Sequence, residues 1–223
     1  MIDTTIYIPE LLNCLHQEFG SRLVYVGLQG SYLRDEATES SDIDIMIVID
    51  GLTVCDLDTY RIIIQSLGDF EKSCGFICSK SDLTSWNPLE ICHLLHSTKD
   101  LYGRLSELVP EYSNYDIRNF IKISVNNLYH EICHRYIHAD MGKNITHISG
   151  TYKGVFFILQ NLCYLTHGRF PLTKAELLPL LEGKDLAVFR RSLELSSGIP
   201  HDFPAALNYC LPGARRLWRN LTK

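Results

Sequence analysis

What this chain lacks narrows it first. No apolar run in its 223 residues approaches the roughly 18 that a helix needs to span a bilayer. Met1-Ile2-Asp3-Thr4-Thr5 has neither a basic stretch nor an apolar block, so no secretory leader is expected. Internal repeats and low-complexity tracts are absent, which excludes solenoids and long linkers. Positive charge is not in surplus: 21 Lys and Arg against 26 Asp and Glu leave a formal charge of −5. A nonspecific nucleic-acid binder would present a basic surface, so this acidity argues against one. With no leader, the eight cysteines (14, 55, 74, 78, 92, 133, 163 and 210) read as reduced, buried thiols of a cytoplasmic protein.

What is present is an ordinary globular composition, 46% hydrophobic and 21% charged, at a length that suits one large or two small domains. The charge is uneven. Residues 1–110 hold 7 basic and 17 acidic side chains, a balance of −10, and residues 111–223 hold 14 and 9, a balance of +5. Pro110 and Ser113-Asn114 mark the boundary between these halves. The acidic half would attract a cationic acceptor, and the basic half would help hold a triphosphate or dock onto the acidic one.

The first half alternates helix and strand. Tyr7 to Phe19 has helical spacing at Leu11, Leu12, Leu15 and Phe19, with Pro9 near its start. Leu23 to Leu28 and Ile43 to Ile49 read as strands, and Leu57 to Leu67 as an amphipathic helix stopped by Gly68. Cys74 to Cys78 reads as a third strand, and a helix follows Asn87-Pro88.

Chemistry gathers between the first two strands. Gly30-Ser31 follows the first, and Ser41-Asp42-Ile43-Asp44 opens the second. Residues two apart on a strand share a face, so Asp42 and Asp44 point one way and Ile43 and Ile45 the other. Two carboxylates that close repel unless a cation lies between them, and hard oxygen ligands suit Mg²⁺ carrying substrate phosphates. Gly30 lets backbone approach a ligand, and Ser31 would open a short helix whose N–H groups face phosphate.

At these residues the chain resembles the nucleotidyltransferase superfamily, which includes DNA polymerase beta. Its pattern is Gly-Ser, a spacer, then Asp-x-Asp at a strand start. The resemblance implies an α+β fold: a mixed sheet with flanking helices over residues 1–110, then an all-α bundle over 111–223. It implies Mg²⁺-dependent transfer of a nucleoside monophosphate from a nucleoside triphosphate to a hydroxyl. Asp42 and Asp44 would hold the metal, Gly30 and Ser31 would cradle the phosphates, and Arg34 would grip a terminal phosphate. Ser41 would orient the Asp loop. The superfamily often adds a third carboxylate on a strand near residues 74–80, and none stands there; Glu71 and Asp82 are the nearest acids. An alternative therefore stays open: a non-catalytic nucleotide-binding or antitoxin-like module.

Beyond Tyr115 the periodicity is helical throughout. Long helices are expected from Ile117 to about Gly142 and from Tyr152 to Thr166. Shorter ones are expected from Thr173, over Asp185 to Leu195, and over Pro204 to Leu221. The layout resembles the helical domains of aminoglycoside nucleotidyltransferases and the HEPN-like bundles that partner minimal nucleotidyltransferases. The acceptor would enter between the domains: an aminoglycoside-like small molecule, a lincosamide, a protein Tyr or Ser hydroxyl, or an RNA end. Glu131 is the candidate base, and Lys153 would reach a phosphate.

Two other constellations compete. His130-Glu131-Ile132-Cys133-His134 matches the helical zinc-protease pattern, but no persuasive third ligand follows. Cys74, Cys78, Cys92, His93 and His96 can be drawn as a zinc cluster, although two thiols on one face of an apolar strand are commonly core.

Overall fold

A computed structural model describes residues 1–138 and 141–196. The chain divides into two compact units, residues 1–111 and 112–223.

The first unit opens with α1 (Thr4–Phe19). The helix begins earlier than its apolar spacing alone predicts, because the Asp3 carboxylate accepts from the Thr5 N–H at 2.9 Å and caps it. Pro9 consequently lies inside the helix. Tyr7, Leu11, Leu15 and Phe19 recur every fourth residue and are buried.

Four strands form one sheet: β1 (Leu23–Gln29), β2 (Ile43–Ile49), β3 (Ser73–Ser79) and β4 (Lys99–Tyr102), in the order β3-β2-β1-β4. β1 runs antiparallel to both β2 and β4, while β2 and β3 are parallel. A parallel pair needs a crossover, and α3 (Val54–Ser66) supplies it. A register shift between Leu23 and Tyr25 turns Tyr25 to the opposite face from Leu23, Val26 and Leu28.

The two faces carry separate cores. Ile43, Ile45, Ile47 and Ile49 pack with α1 residues and with Ile63 of α3. On the other face Tyr25, Met46, Val48 and Cys78 pack with Leu83 of α4 (Lys80–Thr84) and with Leu94 and Leu95 of α5 (Pro88–His96). Between β1 and β2 lies one short helix, α2 (Gly30–Leu33).

The second unit is helical over its described residues: α6 (Asn114–His138), α7 (Met141–His167), α8 (Lys174–Leu177) and α9 (Gly183–Ser196). Ser113 starts α6 by donating its N–H and hydroxyl to Asp116, at 2.9 and 2.6 Å. α7 is longer than its apolar run of 152–166 predicts; Gly150 and Gly154 are absorbed inside it, propagation overriding their low helix propensity. Ile132, Tyr152, Phe156, Leu159, Leu177 and Phe189 share its core. Buried Gln160 donates to the Pro171 carbonyl at 2.8 Å, fixing the loop after α7. The helix expected over 204–221 lies outside the described residues. Among those residues, no helix is long and apolar enough to cross a membrane. The fold is thus α+β: a four-stranded mixed sheet with flanking helices, then a helical region.

Candidate active site

The bend after β1 is built on Gly30, whose φ of +70° falls in the left-handed region. A Cβ at Gly30 would run into Oδ2 of Asp44. The Asp44 carboxylate therefore lies directly against the backbone of the Gly30-Ser31 bend. Cross-strand pairing sets this up, because Asp44 stands opposite Gln29, the last residue of β1. Asp44 is half-buried, and Asp42, just before β2, is exposed. Their neighbours Ile43 and Ile45 are buried on the opposite face, at 0% and 2% exposure.

The loop from Arg34 to Asp42 is tied to itself. The Ser31 carbonyl accepts from the Arg34 and Glu36 N–H groups, at 3.2 and 3.0 Å. Arg34 Nε donates to Glu36 Oε2 at 3.1 Å, so the arginine expected to face phosphate already holds a carboxylate. Ser41 closes the turn before Asp42: its N–H donates to the Thr38 carbonyl at 3.0 Å, and its Oγ accepts from the Thr38 N–H at 2.8 Å.

On the other flank, Cys74 of β3 stands in register with Asp44. Here the reading of every cysteine as a buried thiol fails. Cys78 is buried, whereas Cys74 and Cys55 are exposed. Strand alternation gives Cys74 and Cys78 one face, but the apolar cover over Cys78 does not reach Cys74. Desolvation raises the Cys74 thiol pKa, and the nearby charges of Asp44 and Asp42 raise it further. Gly75 lets β3 lie close against β2, because a Cβ there would strike the Ile45 carbonyl oxygen.

On α5, burial pushes the His93 imidazole down to about 4, with His96 and Arg34 adding to the shift. Asp82, one of the two acids nearest the missing third position, caps α4 instead. It accepts from the Ser79 N–H at 3.3 Å while its own N–H donates to Ser79 Oγ at 3.1 Å.

Gly30, Ser31, Arg34, Ser41, Asp42 and Asp44 all belong to the first unit. Glu131 and Lys153 belong to the second. Glu131 accepts from Arg135 Nε at 2.9 Å along α6, and Lys153 is exposed on α7. The His130 and His134 rings stack at 5.9 Å on the exposed side of α6. Among the described residues no group of three or more His, Cys, Asp or Glu side chains is gathered as a metal shell. That removes the support for both zinc constellations. Sequence reasoning missed the place of Cys74; pairing the third strand in parallel with the second would have set it beside Asp44.

Residues 8–73 match the family model described as a nucleotidyltransferase domain, a span that includes the Gly30-Ser31 bend and both aspartates. Two Methanocaldococcus jannaschii proteins are similar in sequence. "Putative protein adenylyltransferase MJ1305" is 31% identical over 104 residues, 44% of this chain and 70% of that protein. MJ0604, of the same printed name, is 38% identical over 72 residues, 29% of this chain and 72% of its own length. Among solved structures, spectinomycin adenyltransferase AAD(9) from Enterococcus faecialis, with ATP and spectinomycin, superposes with a TM-score of 0.62. It covers 99% of this chain and 100% of its own at 15% identity, which speaks to the fold.

Proposed function

Because the chain belongs to the nucleotidyltransferase superfamily, we propose that it transfers the AMP group of ATP to a hydroxyl of an acceptor, with Mg²⁺ as cofactor. The carrying observation is the Asp44 carboxylate seated against the left-handed Gly30 bend, two residues after exposed Asp42. Their donor set fits Mg²⁺, which prefers one or two carboxylates together with substrate phosphate oxygens. Held by Asp42 and Asp44, the ion would neutralise charge developing on the transferred phosphate.

The chain's own residues do the rest. The bare backbone of Gly30 makes room for the Asp44 carboxylate, while the Gly30-Ser31 backbone N–H groups and the Ser31 hydroxyl would cradle the β and γ phosphates. The acceptor oxygen attacks the α-phosphorus, the bond to the bridging oxygen breaks, and pyrophosphate departs. A base takes the acceptor's proton.

For the acceptor, a protein hydroxyl is the first reading, since both sequence relatives are named for protein acceptors. A cationic small molecule is the second, favoured by the −10 balance of residues 1–110. α-Labelled ATP incubated with whole-cell protein and, separately, with an aminoglycoside panel distinguishes them. Label is expected in one fraction, dependent on Mg²⁺ and lost in Asp42→Asn/Asp44→Asn. Tight Mg²⁺·ATP binding with no label transferred anywhere would establish the non-catalytic module instead.

A further inference from the structure

We propose that Glu36 is the positioning residue for Arg34, holding its guanidinium in the orientation that receives the terminal phosphate of the triphosphate. The inference rests on the reading that the Gly30-Ser31 bend and the two aspartates take Mg²⁺·ATP, and it adds to that reading the contact that sets the arginine.

The arrangement is built outward from the bend. The Ser31 carbonyl accepts from the N–H groups of both Arg34 and Glu36, at 3.2 and 3.0 Å, so α2 is closed by a six-residue cap that starts in the bend itself. Such a cap needs left-handed backbone at its fifth residue, and here that is Asp35, with φ of +55°. An aspartate in that conformation carries a backbone cost, and residues of this kind persist where the surrounding structure holds them and gather at functional sites. The reversal at Asp35 returns the Glu36 side chain to Arg34, where Oε2 accepts from Nε at 3.1 Å.

This is not a solvated surface pair. The Arg34 and Glu36 side chains are 11% and 21% exposed, against 63% for each partner of the Arg61–Asp58 pair on α3. An exposed pair contributes little, whereas an enclosed, charge-assisted bond fixes geometry. A guanidinium carries five donors in one rigid planar fork, and the bond to Glu36 is made by the donor on Nε, beside the stem. Holding that edge sets the plane of the fork. A fork set in advance loses less entropy on meeting phosphate oxygens than one ordered only on binding.

The test is calorimetry of the whole protein with ATP and with ADP, each with Mg²⁺, because the two differ in the terminal phosphate. Wild type is expected to prefer ATP by about tenfold, the effect of one charge-assisted contact. Arg34→Ala and Glu36→Ala should each bind ATP about tenfold more weakly while ADP affinity stays within about twofold, which shows the fold intact. Adding Glu36→Ala to Arg34→Ala should change nothing further, since the carboxylate acts through the arginine. Glu36→Gln, which keeps an oxygen for Nε, should stay within about threefold of wild type. Asp58→Ala, which removes the same charge from the exposed pair, should match wild type. ATP binding in Glu36→Ala as tight as wild type overturns the inference, and so does tighter binding, which would make the carboxylate a competitor for the arginine. Equal losses for ATP and ADP, or a further loss in the double variant, also overturn it, because either reduces Glu36 to a support for the loop. Wild type that binds Mg²⁺·ATP through Asp42 and Asp44 without any Glu36 effect removes only this role. Wild type that binds neither nucleotide removes the site itself.

Discussion

The two faces of β2 put seven consecutive residues to different uses. One face, Ile43, Ile45, Ile47 and Ile49, is at most 2% exposed along its whole length, closed by α1 and α3. The other begins with half-buried Asp44 and only then becomes core, at Met46 and Val48. Polar chemistry occupies the less buried end of that face, where Asp44 meets the Gly30 bend. Burying an unpaired carboxylate is costly, so a site of this kind belongs where a face runs out of cover. Stability and function are therefore separable by substitution on a single strand. Ile47→Ala should cost about 2–5 kcal/mol in urea unfolding, through lost burial and the cavity left behind. Asp44→Asn should change stability by no more than about 0.5 kcal/mol yet abolish Mg²⁺·ATP binding in calorimetry. If both substitutions unfold the protein equally, the two faces are not distinct in role.

A finer comparison sets Gly30 against Gly68. Both have positive φ, +70° and +78°. A Cβ at Gly68 meets nothing within 4 Å, whereas one at Gly30 meets Asp44. Alanine at either position carries a backbone cost of about 1–3 kcal/mol. Only Gly30→Ala should also displace the carboxylate, weakening Mg²⁺·ATP binding about tenfold or more while Gly68→Ala leaves it unchanged. Equal nucleotide affinities in the two variants would show that the space over Gly30 is not used.

The first unit was legible in the sequence to different depths. The β2 alternation showed directly, since Ile at every second position permits one buried face and the aspartates must take the other. The Gly-Ser bend showed because few residues tolerate left-handed backbone. Three features were hidden. The Arg34–Glu36 pair depends on the path of an irregular loop, and no periodicity encodes that. The place of Cys74 depends on the pairing of β3 with β2, a contact between distant segments. In the second unit, the start of α7 at Met141 was hidden by Gly142, Gly150 and the weak helix formers between them.

Acid offers a further way to sharpen the contrast, since α5 packs on the Asp44 face and carries the shifted histidines. His93 titrates near 4 when folded and near 6.5 when unfolded, burial being the main cause. Between those values the unfolded chain binds more protons, so stability is full above about pH 6.5 and falls as pH drops towards 4. From pH 7 to pH 5 the loss should be about 2 kcal/mol, and His93→Gln should remove most of it. His96 shifts the same way through burial. Hydrogen exchange should show α5 opening in acid before α1. A urea midpoint in wild type that is the same at pH 5 and pH 7 would refute it.

The smallest expected effect tests the isoleucine face from outside. Thr53 caps α3: its N–H and hydroxyl donate to Asp56 Oδ2, both at 2.8 Å, and its Oγ accepts from the Asp56 N–H at 3.3 Å. These bonds start α3 at Val54, three residues before the apolar spacing that begins with Leu57. Asp56 also meets Arg22 at 2.6 Å, so part of its hold on the loop survives without the threonine. Thr53→Ala should cost about 1 kcal/mol. α3 lies against the face that carries no chemistry, so Mg²⁺·ATP affinity should not move. A change in affinity that tracks this loss of cap would mean that strain on the isoleucine side reaches Asp44 through β2, and that the strand is one mechanical unit rather than two independent surfaces.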